Sequence, residues 1–217
     1  MSPHSSTDMK RDIKIVMATH NGNKLREIRA LLDGNGLSDI TLLTLSDIGY
    51  NQEIEETGTT FSENAYIKAS VPARLGYYGL ADDSGLEVDY LLGAPGVYSA
   101  RFAGEPCDDE ANNEKLLDEL QEVPESLRTA RYVSVISFVS PYAPSESFSV
   151  SGRCEGIILT EYRGKGGFGY DPLFYVPELG RTFAQVTMEE KNAVSHRGKA
   201  TRLFIEKLRE MFNDNRN

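Results

Sequence analysis

Hydrophobic and polar positions along the first third of the chain alternate between strand-like and helix-like patterns. The apolar run from Ile13 to Ala18 predicts a buried strand, and apolar residues from Leu25 to Leu32 then recur at helical spacing. A second apolar run, Ile40 to Leu45, is followed by a helical pattern that begins near Phe61. Strands that alternate with helices are typical of an α/β fold.

The rest of the chain is richer in predicted strands. The sequence ADDSG at residues 81–85 predicts the end of a strand in a turn, and residues 108–120 predict a helix that buries Leu116, Leu117 and Leu120. Two β-rich segments flank PYAPS at residues 141–145, which predicts an antiparallel hairpin. A final helix over residues 199–212 is predicted to bury Leu203, Phe204 and Leu208.

Length and charge narrow the classes of function. The 217 residues suit one domain, which we expect over residues 13–217 after a flexible extension at residues 1–12. The chain carries 33 acidic and 23 basic residues, a net charge of −10, which argues against a polymeric nucleic-acid partner. A small anionic ligand remains compatible with this charge where cations cluster locally.

The sequence shows no targeting signal and no cysteine pattern that would indicate a particular function. The first twelve residues lack the apolar stretch of a signal peptide, and no apolar run approaches the length of about 18 residues that a membrane span needs. The two cysteines, Cys107 and Cys154, form neither a disulfide framework nor a metal-binding spacing. We therefore expect a cytoplasmic protein with no membrane partner.

A polar loop follows the first predicted strand. THNGNK, from Thr19 to Lys24, lies at the start of the predicted helix. Backbone N–H groups and the positive end of a helix dipole favour phosphate there, and Lys24 adds a full charge. The alternative is an ordinary Asn-Gly turn with a surface lysine.

Two acidic pairs could hold a metal ion. Glu55 and Glu56 precede a Thr-Gly turn, and Asp82 and Asp83 follow an apolar run. Because successive strand side chains point to opposite faces, we expect one aspartate to work in the site and the other to support it. One aspartate joined by a glutamate suits Mg²⁺ with substrate phosphates. Solvated acidic surface, or a turn capped by its own side chains, is the alternative.

Two further motifs could hold a flat ligand. GKGGFGYDPLF, residues 164–174, places four glycines beside Phe168 and Tyr170, which suits close approach to a nucleobase. EEKNAVSHRGKA, residues 189–200, gathers Lys191, His196 and Arg197 just before the last predicted helix. A glycine-rich turn filled by core aromatics and a basic surface are the respective alternatives.

Together these segments resemble the inosine triphosphate pyrophosphatase family, also called Ham1-like or RdgB-like. The resemblance covers about Ile13 to Leu208 and uses ATHNGNKLREI, EETGTTFSENA, ADDSGLEVDYLLGAPGVYSARFAG, GFGYDPLF and EEKNAVSHRGKA. It implies an elongated, two-lobed α/β fold around a long mixed β-sheet, with the nucleotide in a cleft between the lobes, and a homodimer. It also implies Mg²⁺-dependent hydrolysis of ITP, dITP and XTP to the monophosphate and pyrophosphate.

The resemblance also implies roles for individual residues. Asp83 would accept the proton of the water that attacks the α-phosphorus, kept ionised by Mg²⁺ and nearby lysines, and would bind the metal with Glu56. Donors from Arg197 and the loop backbone would favour the 6-oxo group of hypoxanthine and xanthine over the amino group of adenine. The substrate would be bound by Thr19, His20, Asn21, Gly22, Asn23, Lys24, Lys68, Ser84, Phe168, Gly169, Tyr170, Asp171, Lys191, His196 and Arg197.

Two other functions stay open at this point. One is a pyrophosphatase of the same reaction type that acts on a pyrimidine or modified nucleotide, as Maf-like proteins do. The other is a catalytically silent module that binds nucleotides on the same fold.

Overall fold

The computed structural model describes residues 13–35 and 40–214, with side chains up to residue 211, so the predicted extension at residues 1–12 lies outside the described residues. The strands are β1 Ile13–Met17, β2 Ile40–Thr44, β3 Tyr78–Val88, β4 Thr129–Val139, β5 Phe148–Ile158, β6 Phe174–Val176 and β7 Arg181–Thr182. The α-helices are α1 Gly22–Gly34, α2 Phe61–Arg74, α3 Asp109–Glu119, α4 Met188–Val194 and α5 His196–Asp214.

The strands form one seven-stranded mixed sheet in the order β2-β1-β3-β4-β5-β6-β7. β1 lies parallel to both β2 and β3, and each later pair is antiparallel. The predicted α/β class with a mixed sheet is therefore confirmed, and so is the predicted hairpin, which is β4 and β5.

The different lengths of β1 and β3 create the opening in which the candidate site lies. β1 pairs with β3 only over Ile15 to Met17, opposite Tyr78 to Leu80. β3 continues to Val88 against β4. Beyond Leu80, one edge of β3 is therefore not covered by β1, and this region lies at the carboxyl end of a parallel strand, where α/β sheets commonly bind ligands.

Three apolar clusters hold helices against the sheet. On one face, α1 and α5 pack on Ile15, Met17, Leu80 and Phe138, whereas α2 packs on the opposite face, where Ala69 meets Val16 and Ala81. The third cluster joins α3 to the far end of β3 and to the strands beyond it. The burial of apolar surface therefore fixes helices on both faces beside the opening.

Three predictions of local structure are wrong. The turn expected at ADDSG is absent, because residues 79–88 all pair with β4 and the strand runs on. Leu203 is 43% exposed and does not belong to the buried stripe of the last helix, while Phe204 and Leu208 do. That helix also begins earlier than predicted, so His196 and Arg197 form its first turn.

Candidate active site

A cleft with a volume of about 310 Å³ lies where β1 ends beside β3. It brings together most of the predicted site residues from distant parts of the chain. Gly22 and Asn23 do not line it, although Lys24 in the same first turn of α1 does. The predicted residues that line it are Thr19, His20, Asn21, Lys24, Glu56, Lys68, Asp83, Ser84, Phe168, Gly169, Tyr170, Asp171, Lys191, His196 and Arg197.

The backbone N–H groups of the loop before α1 form more hydrogen bonds within the loop than the sequence predicts. The Asn21 side chain caps the helix and accepts hydrogen bonds from the backbone N–H groups of Asn23 and Lys24, at 2.9 and 3.2 Å. The N–H of Asn21 donates to Thr19 Oγ1 at 3.1 Å. Three backbone donors expected for phosphate are thus already engaged, and a bound anion would compete with these bonds for them.

Asp83 shares a lysine with Glu56 on the α2 side of the sheet. Lys68 Nζ lies 2.7 Å from Asp83 Oδ1 and 3.2 Å from Glu56 Oε1. Burial raises the pKa of the Asp83 carboxyl, and the nearby Lys68 and Lys24 oppose this shift without outweighing it. The expectation that the lysines favour the ionised carboxylate has the right sign, but their effect is smaller than that of burial.

Asp82 points to the other face and joins a different network. Lys24 Nζ lies 2.8 Å from its Oδ2, and Ser84 Oγ donates to the same oxygen at 3.0 Å. Arg197 Nη2 lies 3.4 Å away, and Ser134 donates to Oδ1. Burial acts to raise the pKa of Asp82, but Lys24 and Arg197 outweigh it and hold the pKa well below its usual range. The predicted supporting role thus has a physical basis: Asp82 holds two cations in place.

Glu27, on α1, links two of the predicted substrate-binding cations, although it was not predicted from the sequence as a site residue. Its carboxylate lies 3.1 Å from Lys191 Nζ and accepts a hydrogen bond from Arg197 Nη1. Burial acts to raise the pKa of Glu27, but Arg197 and Lys191 hold it below its usual value. The available signal was its position three residues after Lys24, which places both on one face of the helix.

The residues present fit a divalent cation. Asp83 lines the cleft, and its buried Oδ2 has no hydrogen-bond partner among the described residues, which leaves an uncompensated acceptor. Glu56 is close enough to share Lys68 with it. No group of three or more His, Cys, Asp and Glu residues able to hold a metal occurs within residues 13–35 and 40–214. Two carboxylates without a protein cage match Mg²⁺, which takes its remaining ligands from water and phosphates.

Phe168 contributes an aromatic wall to the cleft. Lys191 Nζ lies 4.6 Å from the centre of the Phe168 ring, and Arg197 Cζ lies 5.7 Å from it. Asp171 Oδ2 accepts from the Phe168 N–H at 2.9 Å and from Lys191 Nζ at 2.7 Å. Gly167, at a φ of +74°, packs so closely on Asp171 that an added Cβ would lie 2.1 Å from its Oδ2. The glycine is therefore needed for this contact.

His196 is a buried, neutral member of the site. Its ring stacks on Tyr132 at a centroid distance of 4.6 Å and an interplanar angle of 11°. Burial first, and then the neighbouring Arg197 and Lys191, lower the pKa of His196 well below its usual value. The imidazole therefore meets a ligand as an uncharged group near neutral pH.

Comparison with known proteins gives consistent results. Residues 15–207 match the model of the Ham1 family. The chain is 53% identical over 196 residues to a dITP/XTP pyrophosphatase of Geobacter sulfurreducens, with 90% of this chain and 96% of the relative covered. It is 50% identical over 201 residues to a dITP/XTP pyrophosphatase of Desulforamulus reducens, with 92% and 98% covered.

Solved structures show the same fold. A HAM1 protein from Coxiella burnetii superposes with a TM-score of 0.83 at 42% identity, over 91% of this chain and 99% of that one. The Staphylococcus aureus Ham1 protein gives a TM-score of 0.81 at 41% identity, over 91% and 98% of the two chains.

Proposed function

Since the chain belongs to the Ham1 family, we propose that it hydrolyses the non-canonical purine nucleoside triphosphates dITP, XTP and ITP to the monophosphate and pyrophosphate, and so removes them from the nucleotide pool. The observation that carries the proposal is the cleft, which is lined by Asp83, by the cations Lys24 and Lys68, and by the aromatic ring of Phe168. The names of the relatives favour this function over a pyrimidine substrate and over a silent binding module.

Asp83 is proposed as the acceptor of the water proton when water attacks the α-phosphorus. Burial raises the pKa of its carboxyl toward neutrality, which makes it a better general base than a solvated aspartate. Lys24 and Lys68 would neutralise the charge of the phosphates, while the attacking and leaving oxygens lie in line at the phosphorus. No covalent nucleophile is needed for this route.

Glu56 and Asp83 would hold Mg²⁺, and the other ligands would be water and phosphate oxygens. When bound, this ion would polarise the phosphates and neutralise the pyrophosphate that leaves. The support in the chain's own residues is the unpartnered Asp83 Oδ2 beside Glu56.

The base would lie against Phe168. Four of the five N–H groups of Arg197 are engaged, by Asp82, Glu27 and Ser84, which leaves one on Nη1. This hydrogen and backbone donors of the glycine-rich loop would face the 6-oxo group of hypoxanthine or xanthine. Adenine would present an amino donor instead, and unpaired buried polar groups can discriminate by up to about 10⁴-fold.

A cytoplasmic homodimer is also part of the proposal. Leu92 is 97% exposed, and Tyr90 and Tyr98 in the same segment are 54% and 59% exposed, which would suit a contact between subunits. Within the described ranges, no helix combines the length and apolar character needed to cross a membrane. Light scattering of the purified protein would give the number of subunits.

The test is product analysis with ITP, dITP, XTP, ATP, GTP and dTTP, with Mg²⁺ and with a chelator. We expect monophosphate and pyrophosphate from the first three substrates, only with Mg²⁺. Asp83→Asn serves as the matched inactive variant and should still bind nucleotide. Diphosphate with phosphate would refute attack at the α-phosphorus, dominant dTTP turnover would refute the purine preference, and binding without turnover would leave only a binding module.

A further inference from the structure

Helix α3 holds both polar backbone groups of Gly169 in the glycine-rich loop. The Gly169 N–H donates to Asp109 Oδ2 at 2.7 Å, and Asn113 Nδ2 donates to the Gly169 carbonyl oxygen at 2.9 Å. Asn113 Nδ2 also donates to the Asp109 backbone carbonyl oxygen at 2.8 Å, which ties the Asn113 side chain to the first turn of the helix. Both polar groups of Gly169 are therefore held by α3, although the loop lies more than fifty residues away in sequence.

The loop needs such external support. Gly164, Gly167 and Gly169 have φ values of +90°, +74° and +60°, in the left-handed region that glycine enters readily and leaves as readily. Such a segment loses much conformational freedom when it adopts one shape. The contacts that fix the loop therefore determine the fraction of protein molecules in which it has this conformation.

Two aspartates, Asp171 and Asp109, accept backbone hydrogen bonds on either side of the Phe168 Cα. Asp171 accepts the Phe168 N–H at 2.9 Å, and Asp109 accepts the next N–H along the chain, that of Gly169. With the amide groups before and after its Cα both fixed, the backbone of Phe168 is defined, and so is the direction in which its side chain leaves the backbone. Tyr170 on the other side is fixed separately, because its hydroxyl donates to the Ser99 carbonyl oxygen at 2.8 Å.

We propose that Asp109 and Asn113 are positioning residues for the nucleobase: they hold the backbone N–H and carbonyl groups of Gly169 and thereby keep Phe168 in place before substrate arrives. Asn113 is buried and does not line the cleft, so it acts through Gly169 and not by touching substrate. Asp109 does line the cleft, so the Asn113 variant is the decisive one. The proposal deepens the proposed function and, for its kinetic test, rests on it.

Loss of the support has a defined kinetic consequence. If the loop is correctly placed in only a fraction of the free enzyme, apparent substrate affinity falls by that fraction. Bound substrate restores the placement, so the turnover number is retained. Loss of a bond of ordinary strength lowers the equilibrium constant for loop placement by about tenfold in Asn113→Leu, so KM rises by up to about tenfold, and the charged Asp109 acceptor raises that upper limit for Asp109→Leu.

The experiment measures KM and kcat for dITP hydrolysis with Mg²⁺, together with the exchange rate of the Gly169 amide hydrogen in the free protein. Asn113→Leu and Asp109→Leu test the two bonds, and Asp109→Asn keeps an acceptor oxygen and should restore KM to within about threefold of wild type. Glu114→Leu makes the same change at the exposed neighbouring position and should alter neither readout. We expect the KM to rise, kcat to stay within about twofold, and Gly169 exchange to accelerate about tenfold.

An unchanged KM in Asn113→Leu, or a loss of kcat without a rise in KM, would overturn the proposal, because partial unfolding lowers the active fraction and leaves KM alone. Failure of the proposed function appears separately, as wild-type enzyme that releases no pyrophosphate from dITP. In that case the amide exchange still decides: if Gly169 exchanges at the same rate in Asn113→Leu as in wild type, α3 does not hold the loop.

Discussion

The adjacent aspartates should respond in opposite ways to the same change. Asp82→Asn and Asp83→Asn each remove one negative charge and keep the side-chain size. Asp82 compensates two buried cations, Lys24 and Arg197, whereas Asp83 is a buried carboxyl whose pKa is raised by its burial. We therefore expect the first change to reduce stability and the second to reduce activity.

The loss for Asp82→Asn follows from the charges that remain. Removal of one partner from a buried ion pair costs about 3–5 kcal/mol, and the lower end applies here because Arg197 keeps Glu27. For a chain of this size each kcal/mol lowers Tm by about 2–4 °C, so about 3 kcal/mol corresponds to roughly 6–12 °C. Since the pKa of Asp82 is held low, this stability is present at neutral pH and is lost as pH falls below about 4.

Asp83→Asn is expected to affect folding stability in the opposite direction. A carboxyl whose pKa is higher in the folded than in the unfolded state makes folding less favourable as pH rises above the unfolded-state pKa, and this cost is complete above the folded-state pKa. Its replacement by a neutral amide therefore removes a cost, and Lys68 retains Glu56 as a partner. We expect stability within about 1 kcal/mol of wild type, and a loss of turnover of about 10²–10⁴-fold if Asp83 is the general base.

The assay is thermal and urea denaturation at pH 7 in chelator, so that metal binding does not contribute, with dITP turnover measured separately on folded protein. A Tm for Asp83→Asn as low as that for Asp82→Asn, or a wild-type Tm for Asp82→Asn, would refute this account of the two networks.

Three further results are expected. Because the pKa of His196 is depressed, stability should fall below pH 6.5 by up to about 1.4 kcal/mol per pH unit, and His196→Phe should remove that part of the slope in urea titrations at pH 5.0–7.5. Gly198→Ala places a Cβ 1.9 Å from the Asn192 carbonyl oxygen and should cost about 1–3 kcal/mol in denaturation, whereas Gly34→Ala, with open space, should cost nothing. Phe168→Leu should raise KM for dITP by roughly 5- to 150-fold through lost stacking, and an equal rise in Phe168→Tyr would contradict that role.

Much of the fold could be predicted because its determinants are local. Apolar residues at periods near 3.6 and 2 identified α1, α2, α3 and the β4–β5 hairpin, since each element must present one apolar face to a core. Capping chemistry is local in the same way: Thr60 and Glu63 form a reciprocal cap at the start of α2. The segments that line the cleft were identified because their residue types suit phosphates, metal ions and bases.

Only the tertiary structure decided how these segments act together. The sequence shows two neighbouring aspartates, but which networks they join depends on where β1 stops beside β3, and that is a property of strand pairing. Glu27 and Arg197 lie 170 residues apart, and no local pattern predicts their contact. The sequence by itself determined the elements and the chemical groups, because these depend on neighbouring residues. Partners and pKa shifts depend on burial and on distances across the fold, which only the folded chain defines.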